Sequence, residues 1–66
     1  MENKMRLEFY LEQSMMTRTQ LAKLVGTSKQ NINDWIVRRD VWVFCNDSYE
    51  IKRIEDKQIK VLYERD

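Results

Sequence analysis

Lys29, Gln30, Asn33 and Asp34 are side chains of the types that read the edges of nucleic-acid bases, and they stand within one short stretch. An amide side chain makes paired hydrogen bonds with an adenine edge, a lysine donates to guanine, and a carboxylate accepts from cytosine N4. Around them lie groups suited to phosphate: Ser28 just before, Asn31 among them, and Arg18, Arg38 and Arg39 to either side. Hydroxyls and amides at a helix start and nearby arginines hold phosphate oxygens, which fixes register on a duplex without reading sequence. The same residue types also occur on any solvated helix face, so the elements that hold them have to decide between the two readings.

Those elements are legible from Thr17 to Ile36. Leu21, Ala22, Val25, Ile32, Trp35 and Ile36 recur at helical spacing, which leaves Lys29, Gln30, Asn33 and Asp34 facing out. Thr17 is placed to cap a helix, with Gln20 completing a capping box, and that helix runs to about Val25. Gly26, the only glycine, follows where a positive φ ends a helix without a Cβ clash. Thr27 or Ser28 caps the next helix, which is expected to end between Val37 and Arg39. Two helices joined by a tight turn, the second with a polar outer face, are the pattern of a helix-turn-helix.

Composition supports a binding module over an enzyme. The chain has 66 residues, enough for one domain with a small core. It has no histidine and one cysteine, Cys45, which rules out Ser-His-Asp and Cys-His arrangements, His-ligated zinc, thiolate clusters and an intrachain disulfide. No cofactor, metal or small-molecule ligand is expected. The N-terminus has no apolar core of signal-peptide length, and no apolar run approaches the ~20 residues that span a bilayer, so no membrane partner is expected. The expected location is the cytoplasm of a bacterial host cell, associated with the nucleoid. Net charge is only +1, but Thr17 to Arg39 holds five basic residues against one acid, while Asp40 to the end holds five against seven. The positive field lies on the helix-turn-helix.

The rest of the chain frames that segment. Leu7, Tyr10 and Leu11 predict a short first helix over Arg6 to Gln13, with Met5, Phe9 and Met15 filling gaps around it and Glu8 and Glu12 facing water. Residues Met1 to Lys4 are open between a frayed end and a short strand. After Asp40 the period becomes strand-like: Val41 to Cys45 as one strand, Asn46-Asp47-Ser48 as a turn, and Tyr49 to Ile54 as its partner. A second turn at Glu55-Asp56-Lys57 would lead to a third strand over Gln58 to Tyr63, with Ile59, Val61 and Tyr63 on one face; a short C-terminal helix is the alternative. The fold class is α+β, with three N-terminal helices followed by a small antiparallel sheet, as a single domain over residues 1–66. Trp42 and Phe44 point to one side of the first strand and Val41, Val43 and Cys45 to the other, so both faces are apolar. One would cover the helices; the other, assigned here to Val41, Val43 and Cys45, would meet a second copy of the chain.

From Arg18 to Val37 the chain resembles the phage repressor and Cro helix-turn-helix signature: Ala22 matches its small residue, Gly26 its turn glycine, Ile32 its buried aliphatic and Trp35 its large closing residue. Over about residues 6 to 55 it looks like the Cro repressors of the lambda type, through Leu7, Tyr10, Asn33 and the strand Val41 to Cys45 followed by Asn46-Asp47. That resemblance implies a homodimer on double-stranded DNA, with the second motif helix in the major groove and half-sites roughly 34 Å apart. Arg18 stands where many members carry glutamine, and Asp34 where a basic or neutral residue is more usual. The function expected is therefore a sequence-specific transcriptional repressor of bacteriophage Cro type on a pseudo-palindromic operator. Two competitors remain: an excisionase-like architectural protein that bends DNA, and a protein-interaction adaptor whose fold no longer meets DNA.

Overall fold

The computed structural model describes residues 2–65. Its elements are β1 (Asn3–Arg6), α1 (Leu7–Ser14), α2 (Arg18–Val25), α3 (Lys29–Arg38), β2 (Val41–Cys45), β3 (Ile51–Asp56) and β4 (Tyr63–Glu64). The class is α+β, as the sequence predicts, but the sheet has four antiparallel strands in the order β1-β2-β3-β4. The additional strand comes from the N-terminus: Asn3 to Arg6 pair with Cys45 to Trp42, four of the five residues of β2. Of the N-terminal stretch left open above, Met1 lies outside the described residues.

Local chemistry sets the helix ends. At α2 the amide of Gln20 donates to Thr17 Oγ1 (3.1 Å) and the Thr17 amide to Gln20 Oε1 (2.9 Å), a complete capping box. Gly26 closes α2 at φ 75°, and Ser28 opens α3 by accepting from the Asn31 amide at 3.1 Å. The first helix starts and ends one residue later than expected, at Leu7 and Ser14, and is closed by Met15, which is left-handed at φ 58°. Met15 is therefore turned out of the helix and is 89 % exposed, and Phe9 is half-exposed; Met5 and Met16 are the residues that pack against the core.

The core is one cluster: Leu7, Tyr10 and Leu11 of α1, Leu21 and Ala22 of α2, Ile32 of α3, and Val41, Val43, Cys45, Ile51 and Ile54 of the sheet. Trp35 and Ile36 are half-buried at its margin. A bulge opposite Phe44 and Cys45 turns the strand phase by one residue, so that Ile51 and Ile54, three apart, both face inward. Val41, Val43 and Cys45 are at most 1 % exposed, beneath the chain's own helices. This corrects their assignment to a contact between copies: a face sealed by α1 is not available to a partner. The outward face carries Trp42 and Phe44, and the chain covers it with its own cations. Lys4 Nζ and the Arg6 guanidinium lie 4.7 Å from the Trp42 ring centre, and Arg53 lies 4.0 Å from that of Phe44.

The C-terminal part also departs from expectation. Glu55 and Asp56 remain in β3 instead of forming a turn, and the third strand predicted over Gln58 to Tyr63 shrinks to Tyr63–Glu64. The reason lies at Asp56, whose carbonyl accepts from the Lys60 amide at 2.7 Å, with Lys60 at φ 81°, so the chain turns there. Ile59 and Val61 are consequently exposed, while Leu62 and Tyr63 return to the core margin.

Candidate nucleic-acid interface

A helix of 3.6 residues per turn that buries Ile32 must present Gln30, Asp34 and Val37 on its opposite ridge. In α3 all three are exposed, as are Lys29 and Asn31, while Asn33 is partly covered. The partial cover comes from α2: Arg18 Nη1 donates to Asn33 Oδ1 at 2.7 Å. Arg18 and Asn33, fifteen residues apart, are thus brought together, and the amide of Asn33 is held with its oxygen toward α2. Asn31 is held differently, donating from Nδ2 to Thr27 Oγ1 at 2.8 Å. Lys29, Gln30 and Asp34 make no side-chain hydrogen bond or ion pair among the described residues, which leaves their full bonding capacity for a ligand.

The two C-terminal arginines serve the fold first. Arg38 Nη2 meets Asp56 Oδ2 at 2.5 Å; the arginine side chain is 41 % exposed and the aspartate 1 %. Asp56 also accepts from the Gln58 amide at 2.8 Å. That backbone bond and the Arg38 charge hold its carboxyl below the usual range against the opposing effect of burial. Arg39 ends α3 in the left-handed conformation at φ 59°, and its carbonyl accepts from Arg6 Nη1. Its guanidinium is 4.0 Å from Glu8 and largely exposed, on the side where α1 begins. Arg38 therefore belongs to the α3 side that faces the sheet, whereas Arg39 is apart from the ridge.

Ser28, Lys29, Gln30, Asn31, Asn33 and Asp34, with Arg18 beside them, are gathered on α3 and its N-terminal end. Val41, Val43 and Cys45 are not part of any exposed site; burial pushes the Cys45 thiol up and keeps it protonated and unreactive.

Sequence reasoning missed two features. Val37 is 79 % exposed on the ridge, where an apolar side chain can meet a thymine methyl group; its spacing from Gln30 and Asn33 was the available signal. The second is an open groove of about 510 Å³ between α3 and the β3–β4 loop, lined by Asn31, Asp34, Trp35, Val37, Arg38, Ile59 and Leu62. A loop that comes beside α3 through the Arg38–Asp56 pair leaves no local mark in the sequence.

Comparison with known protein families, with curated proteins and with solved structures found no match to this chain. Among the described residues no helix is long and apolar enough to cross a membrane.

Proposed function

We propose that this chain is a sequence-specific DNA-binding repressor of phage Cro type, which lays α3 in the major groove and acts as a homodimer on a pseudo-palindromic operator. The observation that carries the reading is the ridge of α3: Lys29, Gln30 and Asp34 exposed and without side-chain partners among the described residues, on a helix fixed by Ile32 beneath and a capped N-terminus. Lys29, Gln30, Asn33 and Asp34 read base edges in this proposal, and Arg18, Ser28, Asn31, Arg38 and Arg39 contact phosphate. Arg38 does so with the part of its guanidinium that Asp56 leaves exposed. Repression follows from occupying a promoter and excluding polymerase. The homodimer has to form through surface other than Val41, Val43 and Cys45.

Selection of bound sites from a random duplex pool tests the proposal. Recovered sites with two-fold symmetry and half-sites about one helical turn apart support it; failure to enrich any sequence overturns it. Asn33→Ala is expected to weaken binding to the selected site by about 1–3 kcal/mol while hardly changing binding to random duplex. Equal losses on both would remove Asn33 from the base-reading set.

One observation favours a second reading, the architectural protein. The outward face of the sheet is capped by Lys4, Arg6 and Arg53 over Trp42 and Phe44, which lessens its need for a partner copy. Sites recovered as direct repeats, bound by a protein that sediments as a monomer, would support this reading over the repressor.

A further inference from the structure

We infer that the β3–β4 loop is a second DNA-contacting element, a wing whose Lys57 and Lys60 hold the sugar-phosphate backbone along one flank of the major groove that α3 enters. The inference rests on the proposal that α3 meets duplex DNA. Three observations place the wing. The open groove of about 510 Å³ has α3 as one wall and Ile59 and Leu62 of the loop as the other. The loop is anchored to the recognition helix and to the residue after its cap: Asp56 at its root accepts from Arg38 Nη2 at 2.5 Å, and the Lys57 amide donates to the Asp40 carbonyl at 3.1 Å. Its charge is one-sided, because residues 57–62 carry Lys57 and Lys60 and no acid, while the Asp56 carboxylate is buried against Arg38.

Charge complementarity then selects the occupant. Lys57 and Lys60 are exposed, and neither forms an ion pair among the described residues. A major groove about 12 Å wide is bordered by a phosphate backbone on each side. The ridge of α3 has Arg18 on its α2 side, through the bond to Asn33, and the lysine-bearing loop on the other. A helix flanked by one cationic shoulder toward each strand matches a groove with two anionic rims. Asp34, the acid on the helix wall, stands on the ridge itself, where a cytosine N4 donor is within the chemistry of a carboxylate and a phosphate is not. Ile59, exposed between the two lysines, lends the loop apolar area to lie against deoxyribose.

The test is the salt dependence of duplex binding by the full chain, measured between 50 and 200 mM monovalent salt for wild type, for Lys57→Gln/Lys60→Gln, and for Lys52→Gln. Lys52 is exposed on the bulge at the far end of β3 and serves as the control for simple loss of charge. Each lost phosphate contact lowers the slope of log K against log salt by about 0.9. The double variant is therefore expected to lose nearly two units of slope, so that its affinity falls roughly tenfold less than that of wild type across this range. The Lys52 variant is expected to keep the wild-type slope. Equal slopes for all three proteins overturn the wing while leaving the α3 reading intact; no binding of any duplex by wild type overturns both. A self-association that sedimentation shows to vanish in the double variant, with the DNA slope unchanged, makes the loop a contact between copies and also overturns the inference.

Discussion

Asn33 and Gly26 show how much rests on single atoms in so small a domain. The 2.7 Å bond from Arg18 removes rotameric freedom from Asn33 before any ligand arrives, and an ordered side chain loses less entropy on binding. Arg18→Ala is accordingly expected to weaken specific binding beyond the loss of one phosphate contact, because the Asn33 amide must then be ordered on the DNA. A double-mutant cycle with Asn33→Ala, measured on the selected operator, reads this as a coupling of about 0.5 kcal/mol or more; strict additivity would mean that the two side chains act separately. Gly26 has no atom within 4 Å of where a Cβ would stand, so the cost of Gly26→Ala comes from its φ of 75° alone. That cost is about 1 kcal/mol, seen as a lower urea midpoint with an unchanged m-value. Tyr10 is wholly buried with its hydroxyl donating to the Tyr49 carbonyl at 2.7 Å, which holds the β2–β3 loop where Tyr49 is left-handed at φ 62°. Tyr10→Phe is expected to cost about 1–2 kcal/mol in the same urea titration, since the carbonyl then loses its donor.

Among the elements, α3 depends on the sheet through Arg38 and Asp56. The folded-state pKa of Asp56 is depressed, so the unfolded chain binds its proton first as the pH drops. The stabilisation is present above the unfolded value of about 3.9 and is lost as the pH falls through the lower folded value. Thermal midpoints measured from pH 6 downward should decline below about pH 4, and Asp56→Asn should flatten that decline while lowering the midpoint at pH 6; an unchanged acid limb would place the sensitivity in other carboxylates. This pair also marks the limit of legibility. The helices α2 and α3 were readable because their signals are local: Thr17 with Gln20, Gly26 after Val25, and Ile32 with Ile36. Asp56 read as a turn residue because its arginine is eighteen positions away, and the same separation hid the wing-like loop beside α3. In β2 the alternation was plain but its direction was not, since Val41, Val43 and Cys45 are no more apolar than Trp42 and Phe44. What orients the strand is Lys4, Arg6 and Arg53, cations that solvate the aromatic face and leave the aliphatic one for the helices. Lys29, Gln30 and Asp34 are exposed as the period predicts, whereas Asn33 is partly covered, and the bond that ties it to Arg18 requires the packing of two helices.

At the scale of the whole molecule, β1 closes the fold by joining the first residues of the chain to β2, some forty positions later. It pairs with β2 at four positions, against two between β3 and β4, and it contributes Met5 to the core and Lys4 and Arg6 to the Trp42 ring. Two cation–π contacts supply about 0.5–1 kcal/mol each at exposed sites, and each ladder hydrogen bond about 0.5–1.5 kcal/mol net. With about four ladder bonds over the four paired positions, their sum is on the order of 3–8 kcal/mol, against a total of about 3–10 kcal/mol for a domain of 66 residues. Removing residues 1–6 should therefore take most of the stability, whereas removing residues 63–66 should take much less. The shorter N-terminal variant would also bare the free edge of β2 with an uncapped Trp42 beside it, a template for pairing with another chain. Urea titration and sedimentation velocity on both truncations check this together. The expected result is a broad, low-midpoint transition with concentration-dependent self-association for the N-terminal truncation, and a cooperative monomeric transition for the C-terminal one. Equal effects would mean that the sheet is held from both edges alike, and that the N-terminal strand has no special part in keeping the aromatic face covered.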